Sequence, residues 1–167
     1  MKKPSDSRTI MTQLVQPNDT NGLGNLHGGE ILKWMDVASA IAAGKHSNAV
    51  VVTVSVDNVV FQNPVKLGDV VTIEATVTRV FNTSIEVFLK VWAENLPSET
   101  RYTCNEAYYT FVALDSNGKP RKTYPIEPES EEEKKQFAGA MRRRELRLML
   151  AGRMKLSDTV ELKTLFS

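Results

Sequence analysis

From Val50 to Leu114 apolar and polar residues alternate. Val50, Val52, Val54 and Val56 fall on one face of an extended chain, with Thr53, Ser55 and Asp57 on the other. Val71, Ile73, Ala75 and Val77 alternate with Thr72, Glu74, Thr76 and Thr78, and Ile85, Val87, Leu89 and Val91 with Glu86, Phe88, Lys90 and Trp92. A fourth run extends from Arg101 to Leu114. Period two with β-branched residues and short turns, Lys66-Leu67-Gly68-Asp69 and Asn82-Thr83, predicts an antiparallel sheet with one buried face. Upstream, Ile10, Leu14 and Val15 make a weaker pattern between Arg8 and Gln16, a short strand at best, followed by a turn-rich loop from Pro17 to Gly24.

The remaining apolar block has a different period. After Gly28-Gly29 come Ile31, Leu32, Trp34, Met35, Val37, Ala38, Ala40, Ile41, Ala42 and Ala43, a helical composition that Gly44 and Lys45 bring to an end. Apolar residues occupy nearly every face, as in a helix wrapped by other structure. One such helix followed by successive strands predicts an α+β architecture, a curved antiparallel sheet around a central helix. The tail, residues 119–167, is charged. Ser130 and Glu133 have the spacing of a capping box, and Arg142-Arg143-Arg144 lies toward the far end, so Glu129 to Leu150 reads as an amphipathic helix outside the main domain.

Composition narrows the function classes. The chain has 167 residues, 41% hydrophobic, with a formal charge of +1. That suits one globular domain and gives no field for binding nucleic acid. A single cysteine, Cys104, precludes an internal disulfide and fits a reducing compartment. Without a signal-peptide core or an apolar run of about 18 residues, a cytoplasmic protein that neither spans nor anchors to a membrane is expected.

Asp36 stands out because it lies in the apolar helix, where a carboxylate is costly unless paired. Two readings follow. In one, Asp36 is a rim residue in an exposed ion pair with Lys33 at i−3. In the other, it is catalytic, either as a general base that deprotonates water or as a carboxylate nucleophile. The loop Asn21-Gly22-Leu23-Gly24-Asn25-Leu26-His27-Gly28-Gly29 leads into the same helix, where uncapped N–H groups and close backbone approach suit an oxyanion. Cys104 sits in a strand pattern with no histidine in readable relation to it, which favours a core residue over a nucleophile. His46 has no partner nameable from sequence, no Gly-x-Ser-x-Gly elbow occurs, and one Cys with two distant His gives no metal site.

Asp19-Thr20-Asn21-Gly22-Leu23-Gly24-Asn25-Leu26-His27-Gly28-Gly29 and its continuation through Trp34-Met35-Asp36 closely resemble the opening of the hotdog acyl-CoA thioesterases of the cytosolic acyl-CoA hydrolase group. Val52-Thr53-Val54-Ser55-Val56-Asp57, Phe61 to Asp69 and Asn82 to Val87 match in the same order. The resemblance covers about residues 8 to 118 and implies a hotdog domain over 5–118. It implies hydrolysis of acyl-CoA to free fatty acid and coenzyme A, with no cofactor, since coenzyme A is itself part of the substrate. It further implies dimers that pair their sheets edge to edge and assemble into hexamers. In each dimer Asn21 of one subunit and Asp36 of the other would form the catalytic pair.

Substrate contacts are expected at His27, Gly28 and Gly29, where His27 is a supporting residue rather than a proton carrier. The resemblance also puts Asn82, Thr83 and Ser84 near the pantetheine or nucleotide path, and some tail arginines are candidates for the coenzyme phosphates. The alternatives on this fold are a dehydratase, which generally uses a histidine at the central helix, and a non-catalytic acyl-CoA-binding module. Acyl chain length is not encoded in any of these motifs.

Overall fold

The computed structural model describes residues 1–57 and 59–166. The alternating runs form β2 (Val50–Asp57), β3 (Val70–Phe81), β4 (Ser84–Asn95) and β5 (Thr100–Leu114), and the weak upstream pattern forms β1 (Thr9–Leu14). They make one antiparallel sheet in the order β1-β3-β4-β5-β2. Helix α2 (Gly28–Ser47) lies on its curved inner face, and a one-turn helix, α1 (Pro4–Ser7), precedes β1. This is the expected α+β hotdog arrangement.

Period two places Val71, Ile73, Ala75 and Val77 of β3, Ile85, Val87, Leu89 and Val91 of β4, and Ala107, Tyr109, Phe111 and Ala113 of β5 against the helix, all buried. Ile31, Trp34, Met35, Ala38 and Ala42 answer from α2. Burying each large aliphatic or aromatic side chain here contributes about 1.5–3 kcal/mol. The helix is not wrapped all round, however. Val37 and Ile41, one turn apart, are 43% and 40% exposed. It also runs past Gly44 to Ser47, because Asn48 adopts the left-handed conformation and its N–H closes on the Gly44 carbonyl at 2.8 Å.

The sheet's two edges are β1 and β2. The valines of β2 were expected to share a buried face, but Val50, Val52, Val54 and Val56 are all exposed. The edge position leaves one side of β2 unpaired, and a bulge between Thr53 and Ser55 breaks its register against β5.

The chain divides into two compact units, Met1–Glu127 and Pro128–Ser167, whereas the expected boundary lay at 118/119. Residues 119–127 join the first unit through backbone hydrogen bonds. Arg121 N–H donates to the Ala113 carbonyl, Thr123 N–H to Asn82, and Glu127 N–H to Lys2. In the second unit α3 (Glu131–Leu150) begins at Ser130, whose hydroxyl accepts from Glu133 N–H while the Glu133 carboxylate accepts from Ser130 N–H. No helix among the described residues is long and apolar enough to cross a membrane.

Candidate functional site

The loop before α2 is stitched to the segment before β3. Leu26 N–H donates to Val65, and Leu67 N–H to Gly24. Within it the Asn21 side-chain oxygen accepts from the N–H groups of Leu23 at 2.9 Å and Asn25 at 3.2 Å. Two donors on one oxygen fix the carboxamide's orientation and leave its nitrogen to donate outward. Asn21 and Gly28 line one cavity of about 230 Å³ with Asn25, Ile31, Phe61 and Cys104 among its other walls.

The first turn of α2 is uncapped. His27 occupies the N-cap position without a side-chain cap, its exposed ring free of the role that Ser or Asp would take. Glu30 and Ile31 N–H groups turn back to the His27 carbonyl, whereas the Gly28 and Gly29 amides, at the first two helical positions, have no intrahelical acceptor. A side chain at Gly29 would meet open space. The positive end of a 20-residue helix therefore points two donors at the surface beside Asn21.

Asp36 is half-buried two turns further on. It does not pair with Lys33, whose ammonium lies 3.5 Å from Glu30 instead. The partner is Thr53 on β2, whose hydroxyl donates to Asp36 Oδ1 at 2.7 Å. One carboxylate oxygen is thus held by a neutral donor. Tyr109 on β5 buttresses the same stretch, donating to the Leu32 carbonyl at 3.3 Å. Burial, with the Asp36 charge adding to it, pushes the Tyr109 phenol up to about 12, so it remains a protonated donor. From Gly28 to Asp36 the helix rises about 12 Å.

Asn82, Thr83 and Ser84 lie elsewhere, at the β3–β4 hairpin, and do not line the Asn21 cavity. Asn82 takes the left-handed conformation that a two-residue turn requires, and the Thr83 carbonyl accepts from Ala113 N–H. Of the tail arginines, Arg143 folds back over Gly139 and donates to the Gln136 carbonyl at 2.7 Å. Cys104 is buried, and burial raises its thiol to about 11, which keeps it protonated and unreactive. His46 has a partner after all. The ring is buried with Nε2 2.7 Å from the Tyr124 carbonyl. Among the described residues no group of three His, Cys, Asp or Glu could hold a metal ion. Sequence reasoning did not single out Thr53, the hydrogen-bond partner of Asp36, although the motif containing it was part of the family resemblance.

A helix cradled in a curled antiparallel sheet, with a glycine N-terminus that carries no side-chain cap, is a hotdog domain. Residues 23–99 match the family model of the thioesterase superfamily. An uncharacterized acyl-CoA thioester hydrolase of Bacillus subtilis is 41% identical over 128 residues, 77% of this chain and 74% of that protein. A hexameric acyl-CoA thioesterase superposes with a TM-score of 0.87 at 40% identity, over 90% of this chain and 98% of its own. The Staphylococcus aureus acyl-CoA hydrolase, solved with butyryl coenzyme A and coenzyme A, gives a TM-score of 0.84 at 33% identity, covering 92% and 95% of the two chains. This chain belongs to that family of acyl-CoA thioester hydrolases. It spans about a quarter of mouse acyl-coenzyme A thioesterase 11, to which it is 39% identical over 145 residues. Alanine variants of the Staphylococcus enzyme have been solved at an asparagine, an aspartate and a threonine spaced fifteen and seventeen residues apart, as are Asn21, Asp36 and Thr53 here.

Proposed function

We propose that the protein hydrolyses acyl-CoA to a free fatty acid and coenzyme A. The observation that carries this reading is the Asp36 carboxylate, steadied on one oxygen by Thr53 and free on the other. Asp36 acts as the general base that takes a proton from water. That water attacks the thioester carbonyl, and the negative charge forming on oxygen is met by the Gly28 and Gly29 amides at the helix N-terminus. Asn21, its carboxamide oxygen already occupied, serves as a donor to the water or substrate rather than as an acceptor. Collapse of the tetrahedral intermediate expels the coenzyme A thiolate, which takes up the proton that Asp36 removed from water and so regenerates the carboxylate. His27 supports the turn into the helix, and Asn82, Thr83 and Ser84 contact a distal part of coenzyme A.

The site is completed between two subunits. The 12 Å rise separating Asp36 from the glycine amides favours this, as does the exposed valine-bearing edge of β2, a surface suited to pairing with a second copy. Hexamers of such dimers are the assembly we propose for this chain. Hydrolysis of butyryl-CoA, followed by detection of the free thiol, tests the activity. Steady release proportional to enzyme is the expected result, and tight binding without turnover would instead make the protein a non-catalytic acyl-CoA module.

A further inference from the structure

Asp69 is a carboxylate, 1% exposed, that the mechanism does not use. It closes the Lys66-Leu67-Gly68-Asp69 turn just ahead of β3, and three neutral donors hold it. The Tyr102 hydroxyl on β5 donates to Oδ2 at 2.5 Å, Lys66 N–H reaches the same oxygen at 3.0 Å, and the Asn95 carboxamide at the end of β4 donates to Oδ1 at 2.9 Å. Burial alone would raise the Asp69 carboxyl, but these donors keep it below the usual carboxylate range. Burial, with the Asp69 charge adding to it, pushes the Tyr102 phenol up. At neutral pH the pair is therefore a hydroxyl donating to a carboxylate. Tyr102 also lies 3.4 Å from the Pro64 carbonyl. The turn itself needs only its backbone bond, from Asp69 N–H to the Lys66 carbonyl at 3.0 Å. The side-chain network goes beyond that need.

What the clamped turn carries is the Asn21 loop. Lys66 pairs with Asn25 in an antiparallel bridge, and on either side Leu26 N–H donates to Val65 at 2.7 Å and Leu67 N–H to Gly24 at 3.0 Å. Asn25 in turn gives its N–H to the Asn21 side-chain oxygen and accepts from Asn21 N–H at 2.8 Å. Two paired residues, Lys66 and Asn25, thus connect Asp69 to Asn21. Hydrogen bonds to an ionised acceptor are shorter and stronger than neutral ones, so a carboxylate at the base of this chain holds it more firmly than a backbone turn alone. We propose that Asp69, gripped by Tyr102 and Asn95, is a positioning residue for the hydrolysis. It fixes the turn that fixes Asn21, and it does not touch the substrate. This inference rests on the thioesterase reading and on the role that reading gives Asn21.

Tyr102→Phe removes one donor at nearly unchanged volume, and Asp69→Asn removes the charge. With butyryl-CoA, at a temperature where both variants are folded by circular dichroism, each should lower kcat about tenfold and leave KM within about twofold, the mark of a misplaced group rather than of lost binding. Hydrogen exchange over residues 20–27 should quicken at least about tenfold in the same variants, while β3, β4 and β5 exchange as in the wild type. Wild-type kcat in Tyr102→Phe, even with a lower melting temperature, would make the network merely structural and overturn the assignment. So would a lowered kcat with residues 20–27 exchanging as in the wild type, or with faster exchange across the whole sheet. If Asp69→Asn does not fold, Tyr102→Phe decides alone. If the wild type does not hydrolyse butyryl-CoA, the thioesterase reading falls and this inference with it.

Discussion

A carboxylate held on one side by a hydroxyl is a positioned base, and the hydroxyl is the part that can be tuned. Asp36→Ala should cut kcat at least about a hundredfold. Thr53→Val, which removes the donor at similar volume, should lower kcat with a smaller effect on KM, and Thr53→Ser should restore most of it. Equal activity in the valine variant would show that the 2.7 Å contact does not orient Asp36. Asp36 was conspicuous in the sequence because a charge interrupts an apolar helix. Thr53 was not, since alternation reports only the face of a strand, and its partner lies seventeen residues away on another element. His46 was equally opaque, its partner being a backbone carbonyl far along the chain. Burial lowers its pKa, opposed by the Tyr124 carbonyl, with Lys2 and Asp6 acting in opposite senses. The unfolded chain then takes a proton more readily than the native one. Stability is full above the ordinary histidine pKa of about 6.5 and falls as pH drops below it. Thermal melts between pH 7.5 and 5 should show this loss, and His46→Gln should flatten it.

The elements themselves were largely legible, because period two and helical composition survive in any context that buries one face. Errors fell where a neighbour decides the outcome. The valines of β2 look like a core strand, yet the strand is an edge. The helix composition looks fully enclosed, yet Val37 and Ile41 are open. In the second unit the decisive contact is Glu145, which is buried and accepts from the N–H groups of Val160, Glu161 and Leu162. Burial alone would raise its pKa, but those three donors hold it below the usual carboxylate range. Its contribution is present above the unfolded-state pKa and lost as pH falls through the depressed folded value. Glu145→Ala should release the chain beyond Thr159 to rapid amide exchange and leave α3 helical. Unchanged protection of Val160 to Leu162 would show that the carboxylate does not hold that segment.

At the scale of the molecule, the boundary was the least readable feature. Residues 119–127 are polar and look like tail, but Arg121, Thr123, Tyr124 and Ile126 are built into the first unit by backbone bonds, the His46 contact and a bridge to Lys2. A chain ending at Glu127 should keep its β-sheet circular dichroism, and one ending at Gly118 should melt at a distinctly lower temperature. Equal melting would place the boundary where composition suggested. The central claim is the shared site, and mixing two inactive variants tests it most directly. Asn21→Ala and Asp36→Ala chains, each inactive alone, are combined under conditions of proven subunit exchange. In a mixed dimer one site then carries both substitutions and the other carries neither. Random pairing makes about half the dimers mixed, so about a quarter of wild-type activity should return. No recovery would mean that Asn21 and Asp36 act within one chain, or that one of them is not catalytic.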